Sequence, residues 1–312
     1  MLRGDPICSA PVIDPEVKTF ADVLASGEFV VTAELGPPAN PVPEPVRRTA
    51  RAFAKSVHAA NVTDNQAATV KLSPLACAVW MMEEGLAPII QLTTRDRNVM
   101  ALQSDLLGAW ALGVRSIMAL SGDPLKVGPY DGKTKAVSDF DSVGLVRLVA
   151  EMNGGRLAAG EELSTPTGFC IVSAANPLVD SIEKLEQKLD AGVQCFQTNI
   201  VYDVGRFVEW FEPVVVAGIP QRAPFLVGVT PPRSTRMLEH LHNNIPGVEV
   251  DHETFSLMEG LAGDEAKQAG VGIAVRVIAQ LREVANVTGC HLMAPGWEAE
   301  AVPRVVEAAG LG

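Results

Sequence analysis

The sequence predicts an α/β protein built as a single (β/α)8 barrel of the TIM type. From residue 29 onward, short apolar and β-branched runs alternate with helical stretches eight times without a break. The 312-residue chain is also long enough for one such barrel, which typically takes about 250 residues. An open doubly wound sheet shows the same alternation, and strand order cannot be read from one sequence, but eight alternations favour the closed barrel. We assign residues 1–28 to an N-terminal leader and residues 29–312 to the barrel.

Parallel strands that are buried on both faces are almost continuously apolar, and eight runs have this character. The predicted strands are Phe29–Ala33, Ala59–Thr63, Ala87–Leu92, Ser116–Leu120, Gly168–Ser173, Gln194–Thr198, Pro224–Val229 and Gly289–Met293. The predicted helices cover residues 44–57, 73–84, 97–113, 141–153, 180–191, 203–217, 233–243 and 264–286. Two of them carry clear end signals, because 180–191 opens on acidic residues and both 180–191 and 97–113 stop at a glycine.

Composition argues against several classes of partner. The net charge is −12 and Lys and Arg do not cluster, whereas a nucleic-acid surface or an anionic membrane requires a dense basic patch. No apolar segment approaches the length that spans a bilayer, and the first residues lack an apolar export signal, so we expect a cytoplasmic protein. The 5 cysteines are odd in number and widely spaced, which predicts reduced and mostly buried thiols. The motif C-x-x-C does not occur in the sequence. His240 and His242 are two residues apart, which is the wrong spacing for one helical face, so no metal site is predicted.

Polar side chains gather where the predicted strands end. In a (β/α)8 barrel these ends open on one common mouth, where active sites lie. Strands that served packing alone would more often close on Gly, Pro or Asn turns, so the set predicts a ligand surface. Its members are Glu34, Thr63, Asp64, Gln91, Thr93, Arg95, Asp123, Asn176, Asn199 and Thr230.

The segment 115–126 is the clearest single candidate for a site. Its apolar strand stops at Ser121-Gly122 and presents the carboxylate of Asp123, and Pro124 prevents any return to regular structure. By itself the same triplet is equally well a turn, since Gly and Asp favour turns for backbone reasons. The polar ends of the neighbouring strands favour the site.

Two carboxylates stand out among the strand ends. Glu34 lies close to Pro37-Pro38 and Asp123 lies beside a glycine, and such apolar surroundings raise the pKa of a carboxyl group. The alternative for Glu34 is an ion pair with Arg95 or Arg97 at the barrel mouth. The chain contains no G-x-G-x-x-G, P-loop, serine nucleophile elbow or H-E-x-x-H motif, so barrel loops must hold any nucleotide.

From about Phe29 to Leu311 the chain resembles the methylenetetrahydrofolate reductases, which are flavin-dependent (β/α)8 barrels. The segments that carry this resemblance are TAELGPP, NVTDN, QLTTRDRN, LLGAWALGVRSIMALSGDPLKVG, SAANP, LEQKLDAGVQCFQTNIVYD and HLMAPGWEAEAVPRVVEAAGL. Their combination is similar to the bacterial branch found in acetogenic and methyl-oxidising bacteria, some of whose members work with a second subunit.

The resemblance implies a reaction. A hydride passes from NAD(P)H to FAD and from FAD to the methylene carbon of 5,10-methylenetetrahydrofolate. Glu34 occupies the place of the acid that protonates folate N10. Asp123 occupies the place of the acid that stabilises the folate iminium, and Asn199 falls where the family usually has a glutamine contacting the pterin.

The resemblance also implies which residues contact the flavin. Lys188 is expected near its diphosphate and residues 174–177 beside its ribityl chain; the alternative for Lys188 is an exposed lysine paired with an acid. The implied contacts are Thr63, Asp64, Gln91, Thr93, Arg95, Leu120, Ser121, Gly122, Asp141, Ser142, Ala174, Ala175, Asn176 and Lys188. The chain departs from the family pattern at Gln91, Ser121, Lys184 and Gln187.

Two alternatives to the flavin-dependent reductase stay open at this point. One is a flavin-free reductase of the same fold, in which the nicotinamide gives its hydride directly to the folate. The other is a folate-binding subunit of a multienzyme one-carbon complex. The expected partners are the tetrahydrofolate substrate and either further copies of the chain or a second subunit.

Overall fold

The computed structural model describes residues 18–311 and shows a closed barrel of eight parallel strands in the order β1 to β8. The strands are β1 Val30–Leu35, β2 Ala59–Val62, β3 Ala87–Thr93, β4 Ser116–Leu120, β5 Cys170–Ala175, β6 Cys195–Ile200, β7 Phe225–Val229 and β8 Val287–Leu292. Strand β8 pairs in parallel with β1 and closes the ring. The predicted single (β/α)8 barrel is confirmed, and the open sheet is excluded.

Helices surround the barrel and connect its strands. Within the described residues they are α1 Phe20–Ala25, α2 Glu44–Phe53, α3 Pro74–Glu83, α4 Val99–Ala111, α5 Ser142–Asn153, α6 Ile182–Ala191, α7 Val204–Val216, α8 Ile219–Arg222, α9 Thr235–Asn244, α10 His252–Met258, α11 Gly263–Arg282 and α12 Glu298–Ala308. Four of these helices were not predicted from the sequence: α1, α8, α10 and α12. The first three are too short for a periodic signal, and α12 contains Pro303 and has no side-chain cap at its start.

Several strands extend beyond their predicted ends. The prediction stopped β1 at Ala33, β5 at Ser173 and β6 at Thr198, whereas each strand continues for two more residues. Polar or small side chains at these positions interrupt the apolar run without interrupting the strand, because alternate residues face the barrel interior. Glu34 and Asn199 therefore lie within strands, not after them.

The floor of the barrel is closed by the first helix. Phe20 and Val23 of α1 are buried against interior residues that include Val30, Ala59 and Leu226. Residues 20–25 of the segment assigned to the leader therefore pack into the barrel, while residues 1–17 lie outside the described residues. The larger apolar cluster fills the layer between the strands and the surrounding helices.

A layer of polar side chains crosses the barrel interior. Asn61 Nδ2 donates to Gln197 Oε1 at 2.6 Å, and Gln197 Nε2 donates to Thr32 Oγ1 at 3.2 Å. Thr32 Oγ1 in turn lies 2.9 Å from His291 Nδ1. All four side chains are buried, and burial lowers the pKa of His291 to about 3, so its imidazole is neutral at physiological pH. The layer is satisfied by hydrogen bonds without any charge.

The connection from β7 to β8 holds two additional helices, α9 and α10, before α11. They enclose a small apolar cluster of their own, which includes Ile200, Tyr202, Leu238, Val248, Met258 and Ile273. The segment 245–248 between α9 and α10 reaches the barrel mouth. Asn176 Nδ2 and Asn199 Nδ2 both donate to the Pro246 carbonyl, at 3.2 and 3.3 Å. This segment therefore covers the mouth beside β5 and β6.

Four cysteines are free and buried, as predicted: Cys77, Cys170, Cys195 and Cys290. Cys8 lies outside the described residues. A search of residues 18–311 finds no helix with the length and apolarity needed to cross a membrane. Over the same range, no group of three His, Cys, Asp or Glu side chains is placed to hold a metal ion.

Two glycines on α11 test the packing of this helix on the barrel. A Cβ at Gly270 would lie 1.8 Å from the Pro232 carbonyl oxygen, whereas one at Gly272 would meet nothing within 4 Å. We expect Gly270→Ala to destabilise the protein by about 1–3 kcal/mol or more, because backbone must move. The matched control Gly272→Ala should stabilise it by up to about 1 kcal/mol through helix propensity. Urea unfolding of both variants measures the difference, and equal effects would contradict the close approach of α11 to the β7 loop.

Candidate active site

Glu34 lies at the carboxyl end of β1 and lines a cleft of about 480 Å³. The loops after β1, β2 and β8 supply the rest of the lining: Gly36, Pro37, Pro38, Thr63, Gln66, Ala67, Thr69, Lys71, Ala294, Pro295, Gly296 and Glu298. We call this space the Glu34 cleft. Its volume lies within the range of small-molecule sites, which is about 300–1,000 Å³.

The carboxyl group of Glu34 is protonated far more readily than an ordinary glutamic acid. Its pKa is raised from 4.5 to about 7, mainly by burial and in smaller part by the nearby carboxylates of Glu298 and Asp123. The side-chain amides of Gln66 and Gln91 oppose the shift, and Gln66 Nε2 donates to Glu34 Oε1 at 3.4 Å. A large fraction of Glu34 therefore carries a proton at neutral pH, which is the state that a proton donor requires.

The turn Gln66–Ala68 after β2 holds both predicted catalytic carboxylates. The Ala67 amide donates to Asp123 Oδ2 at 2.7 Å, while the preceding side chain of Gln66 reaches Glu34. Asn65, Ala67 and Ala68 have φ angles of 46°, 54° and 50°, in the left-handed region that side-chain-bearing residues rarely adopt. Such strain persists only where the surrounding structure holds it, and it is typical of functional sites.

Arg95 holds this turn and the neighbouring strand ends in place. Its guanidinium donates to Asp96 through Nε and Nη2, both at 2.7 Å. Nη1 donates to the Asp123 carbonyl at 2.9 Å, and Nη2 donates to the Asn65 carbonyl at 3.1 Å. The loops after β2, β3 and β4 thus meet on one buried side chain.

Arg97 pairs with other acids in the same region. Its Nη1 lies 2.6 Å from Asp64 Oδ2 and its Nε lies 2.8 Å from Asp105 Oδ2. Asp64 also accepts hydrogen bonds from the amide and hydroxyl of Thr93, at 2.9 and 3.0 Å. Asp64 and Thr93, two of the predicted flavin contacts, therefore share a buried ion-pair network. The interpretation of Glu34 as the ion-pair partner of Arg95 or Arg97 is wrong, because both arginines are paired elsewhere.

Lys188 is buried in an ion pair. The residue is 4% exposed, and its Nζ lies 3.2 Å from Asp180 Oδ2 and donates to the Ala174 carbonyl at 2.5 Å. Burial lowers its pKa, while the carboxylates of Asp180 and Asp141 act in the opposite direction. The alternative of an exposed lysine paired with an acid is therefore wrong about the exposure of Lys188, although it is right that an acid pairs with it. Lys184 pairs with Asp180 as well, at 2.8 Å.

The other predicted flavin contacts lie at the ends of β4 and β5 and at the start of α5. Ser121 Oγ accepts from the Ser142 amide at 3.1 Å, and Asp141 Oδ1 caps its own helix by accepting from the Gly144 amide at 2.9 Å. Leu120, Gly122, Ala174 and Ala175 line the neighbouring strand ends. Of the predicted flavin contacts, Thr63 alone is among the residues that line the Glu34 cleft, and Gln91 reaches Glu34 itself.

Four polar residues of the Glu34 cleft were not predicted from the sequence: Gln66, Thr69, Lys71 and Glu298. Gln66 reaches Glu34 only because the turn adopts left-handed backbone angles, for which the sequence carries no glycine signal. Glu298 belongs to α12, which was not predicted. The motif segment NVTDN ends directly before Gln66, and the segment HLMAPGWEAE contains Glu298. This closeness to a motif is the one signal in the sequence that could have indicated these two residues.

Fold and site together define a (β/α)8 barrel enzyme class in which a protonatable carboxylic acid faces a ligand cleft. The family model described as methylenetetrahydrofolate reductase matches residues 19–310. The chain belongs to the methylenetetrahydrofolate reductase family.

Two curated yeast proteins are similar in sequence. The chain is 25% identical over 225 residues to methylenetetrahydrofolate reductase 1 of Schizosaccharomyces pombe, a match that covers 71% of this chain and 35% of that protein. It is 28% identical over 154 residues to methylenetetrahydrofolate reductase 2 of Saccharomyces cerevisiae, covering 47% of this chain and 24% of the relative. The matched region thus spans about a third and a quarter of these relatives.

Solved structures show the same fold. A protein from Clostridium thermocellum, described as binding two copies of 5-methyl-5,6,7,8-tetrahydrofolic acid, superposes with a TM-score of 0.64 at 12% identity. The match covers 92% of this chain and 98% of that one. An F420-dependent secondary alcohol dehydrogenase superposes with a TM-score of 0.51 at 10% identity, covering 90% and 99% of the two chains.

The raised pKa of Glu34 predicts how stability depends on pH. Between pH 4.5 and about 7 the folded protein keeps a proton that the unfolded chain has lost. The stability that this proton contributes is fully present below pH 4.5 and is lost as the pH rises through about 7. Urea unfolding at a series of pH values should therefore show wild type losing stability relative to Glu34→Gln across this window.

A second acid provides the control for this titration. The pKa of Glu300 is lowered by its hydrogen bond to Lys267, so its contribution is lost as the pH falls, in the opposite sense. Wild type should accordingly lose stability relative to Glu300→Gln toward low pH. A stability difference between wild type and Glu34→Gln that stays flat from pH 4.5 to above 7 would contradict the raised pKa.

Proposed function

We propose that this chain reduces 5,10-methylenetetrahydrofolate to 5-methyltetrahydrofolate with hydride from NAD(P)H, and runs in reverse when redox conditions favour it. The observation that carries the proposal is Glu34, a carboxylic acid with a pKa of about 7 in a cleft of small-molecule size. Family membership supports the reaction. The Clostridium thermocellum protein supports a tetrahydrofolate as a ligand that a barrel of this shape accommodates.

Glu34 acts as the general acid. It gives its proton to folate N10, the bond between N10 and the methylene carbon breaks, and the electron pair of that bond goes to N10. The methylene group is left as an iminium on N5, which then accepts a hydride and becomes the methyl group. General acid catalysis of this kind typically contributes about 10²–10⁴ in rate.

Asp123 stabilises the iminium. Its Oδ2 is held by the Ala67 amide, so the negative charge is already in position when positive charge develops on the folate. The role of Asn199 at the pterin is a prediction from the family resemblance. Its Oδ1 accepts from the Ile200 amide and its Nδ2 donates to the Pro246 carbonyl, so a pterin contact would replace the second bond.

The family resemblance also implies FAD as the hydride carrier, and here the residues do not fit. Two cations of the predicted flavin set, Arg95 and Lys188, and the neighbouring Arg97 are each paired with a carboxylate of the chain. We therefore assign no step to a flavin. The partnerships implied by the resemblance, further copies of the chain or a second subunit of a one-carbon complex, stay predictions.

Replacing the general acid tests the proposed function. Glu34→Gln keeps the size and hydrogen-bonding capacity of the side chain but removes the proton. We expect turnover of methylenetetrahydrofolate to fall by two to four decades, about 3–5 kcal/mol of transition-state stabilisation. Binding of the folate, measured by calorimetry, should change little. Glu300→Gln on the exposed face of α12 is the matched control and should retain wild-type turnover; comparable rates for both variants would exclude Glu34 as the acid.

Asp123→Asn tests the electrostatic role. The amide oxygen can still accept the hydrogen bond of Ala67, so the loop is expected to keep its shape while the negative charge is lost. We expect kcat to fall by about 10²–10³, because the charge is needed mainly in the transition state. A rise in the folate KM with unchanged kcat would instead assign Asp123 to substrate binding.

A further inference from the structure

We propose that hydride passes directly from the dihydronicotinamide of NAD(P)H to the folate iminium within the Glu34 cleft, with no flavin between them. This inference rests on the proposed reductase function. Two observations favour this direct route over one through a flavin. Acids of the chain already pair with the cations that a flavin diphosphate would bind, and the open cleft lies on another side of the barrel mouth.

The cations on the predicted flavin side are neutralised by buried or partly buried acids. Lys188 and Lys184 share Asp180, which is itself 7% exposed. Arg95 pairs with Asp96, and Arg97 pairs with Asp64 and Asp105. A diphosphate placed beside Lys188 would also face the carboxylates of Asp180 and Asp141, both of which interact with that ammonium. Removing one partner from a buried ion pair is strongly unfavourable, so an incoming anion must compete with an acid that is already in place.

The helix N-termini on this side, those of α5 and α6, already donate amides to side chains of the protein. Free backbone amides at a helix start bind phosphate groups. Here Asp141 caps α5 through the Gly144 amide, and the Ser142 amide donates to Ser121. Ser181 accepts from the Lys184 amide and caps α6 in the same way. A phosphate would have to displace these contacts.

The segment 245–248 covers the strand ends where a ribityl chain was expected. Asn176 donates to the Pro246 carbonyl, and its buried Oδ1 has no hydrogen-bond partner among the described residues. A Cβ on Gly247 would lie 2.2 Å from that oxygen, which shows how closely this backbone lies on β5. The Glu34 cleft opens instead over β1, β2 and β8.

One cation in the Glu34 cleft is left for an anionic ligand. Lys71 lines the cleft and is half-buried, and none of the ion pairs formed within residues 18–311 involves its ammonium. The cleft thus combines a proton donor, Glu34, with a positive charge that can meet a phosphate of the nicotinamide dinucleotide or a carboxylate of the folate.

The direct reaction is balanced without a further redox group. Glu34 supplies one proton to N10, the nicotinamide C4–H bond breaks with both electrons, and a C–H bond forms at the methylene carbon. NAD(P)H is oxidised to NAD(P)⁺ and the iminium is reduced to the methyl group. Glu34 then takes a proton back from solvent.

Isotope transfer in the full chain distinguishes the two routes. The protein is produced in riboflavin-supplemented cells. One portion is unfolded so that any released flavin can be measured. A second portion is assayed anaerobically with methylenetetrahydrofolate and with [4-²H]NADH or [4-²H]NADPH, using each C4 stereoisomer in turn. Direct transfer places the deuterium of one stereoisomer in the methyl group of the product. Transfer through a flavin passes the label through an N5–H that exchanges with water, so most of the label is lost. A parallel assay adds free FAD.

We expect negligible bound flavin, near-complete deuterium in the methyl group, and no rise in rate with added FAD. Stoichiometric flavin, turnover that requires added FAD, or loss of the label to water would overturn direct transfer while leaving the reductase function intact. Chemically reduced flavin and reduced viologen dyes serve as substitute donors. If no donor yields 5-methyltetrahydrofolate, the proposed reductase function fails, and the direct route fails with it.

Discussion

The guanidinium of Arg95 is the interaction on which the geometry of the mouth depends. One buried side chain donates to the Asn65 carbonyl after β2, to the Asp96 carboxylate after β3 and to the Asp123 carbonyl after β4. The left-handed turn that follows Asn65 is strained, and this strain needs an anchor. From that turn, one side chain reaches Glu34 and one amide holds Asp123. The relative placement of the two acids thus depends on the side chain of Arg95.

The protonation of Glu34 depends on what lies beneath it. The polar layer beneath Glu34 includes Thr32, two residues earlier on β1, and ends at His291, whose burial keeps it neutral. A protonated imidazole at that depth would favour the carboxylate form of Glu34 and lower its pKa. The arginines of the mouth are also directed at other acids. Desolvation therefore acts on Glu34 with little opposition, apart from the two amides that contact it.

The sequence predicted the barrel well because alternation of buried strands and amphipathic helices is a local signal repeated eight times. It predicted Glu34 and Asp123 for a related reason: in a closed parallel barrel every strand end reaches the same mouth. It failed where the outcome depended on long-range partners. The helical spacing of Lys188 indicated a face but not its burial, and the acid that pairs with it, Asp180, precedes the helix and folds back onto it.

The same failure extends to the turn after β2 and to α12. Nothing local predicts that Gln66 and Glu298 meet in one cleft, because they are brought together only when β8 closes on β1. Closure of the barrel could be predicted from the number of strands. Which side chains become neighbours where β8 pairs with β1 depends on the register of those two strands. For this reason Gln66 and Glu298, which follow β2 and β8, were not predicted as members of the cleft.

The acidic character of the mouth links the chemistry of the proton to the choice of hydride donor. The chain has 37 acidic and 25 basic residues, and within residues 18–311 the arginines at the mouth, Arg95 and Arg97, pair with acids other than Glu34. Asp123 and Glu298 raise the pKa of Glu34 by repulsion, which favours proton donation at neutral pH. The same repulsion opposes any additional anionic group that stays bound at the mouth. A resident flavin diphosphate adds such charge permanently, whereas a nicotinamide dinucleotide brings it only during turnover and leaves with the product. A mouth built to keep one carboxylic acid protonated is therefore better matched to a transient donor than to a resident one.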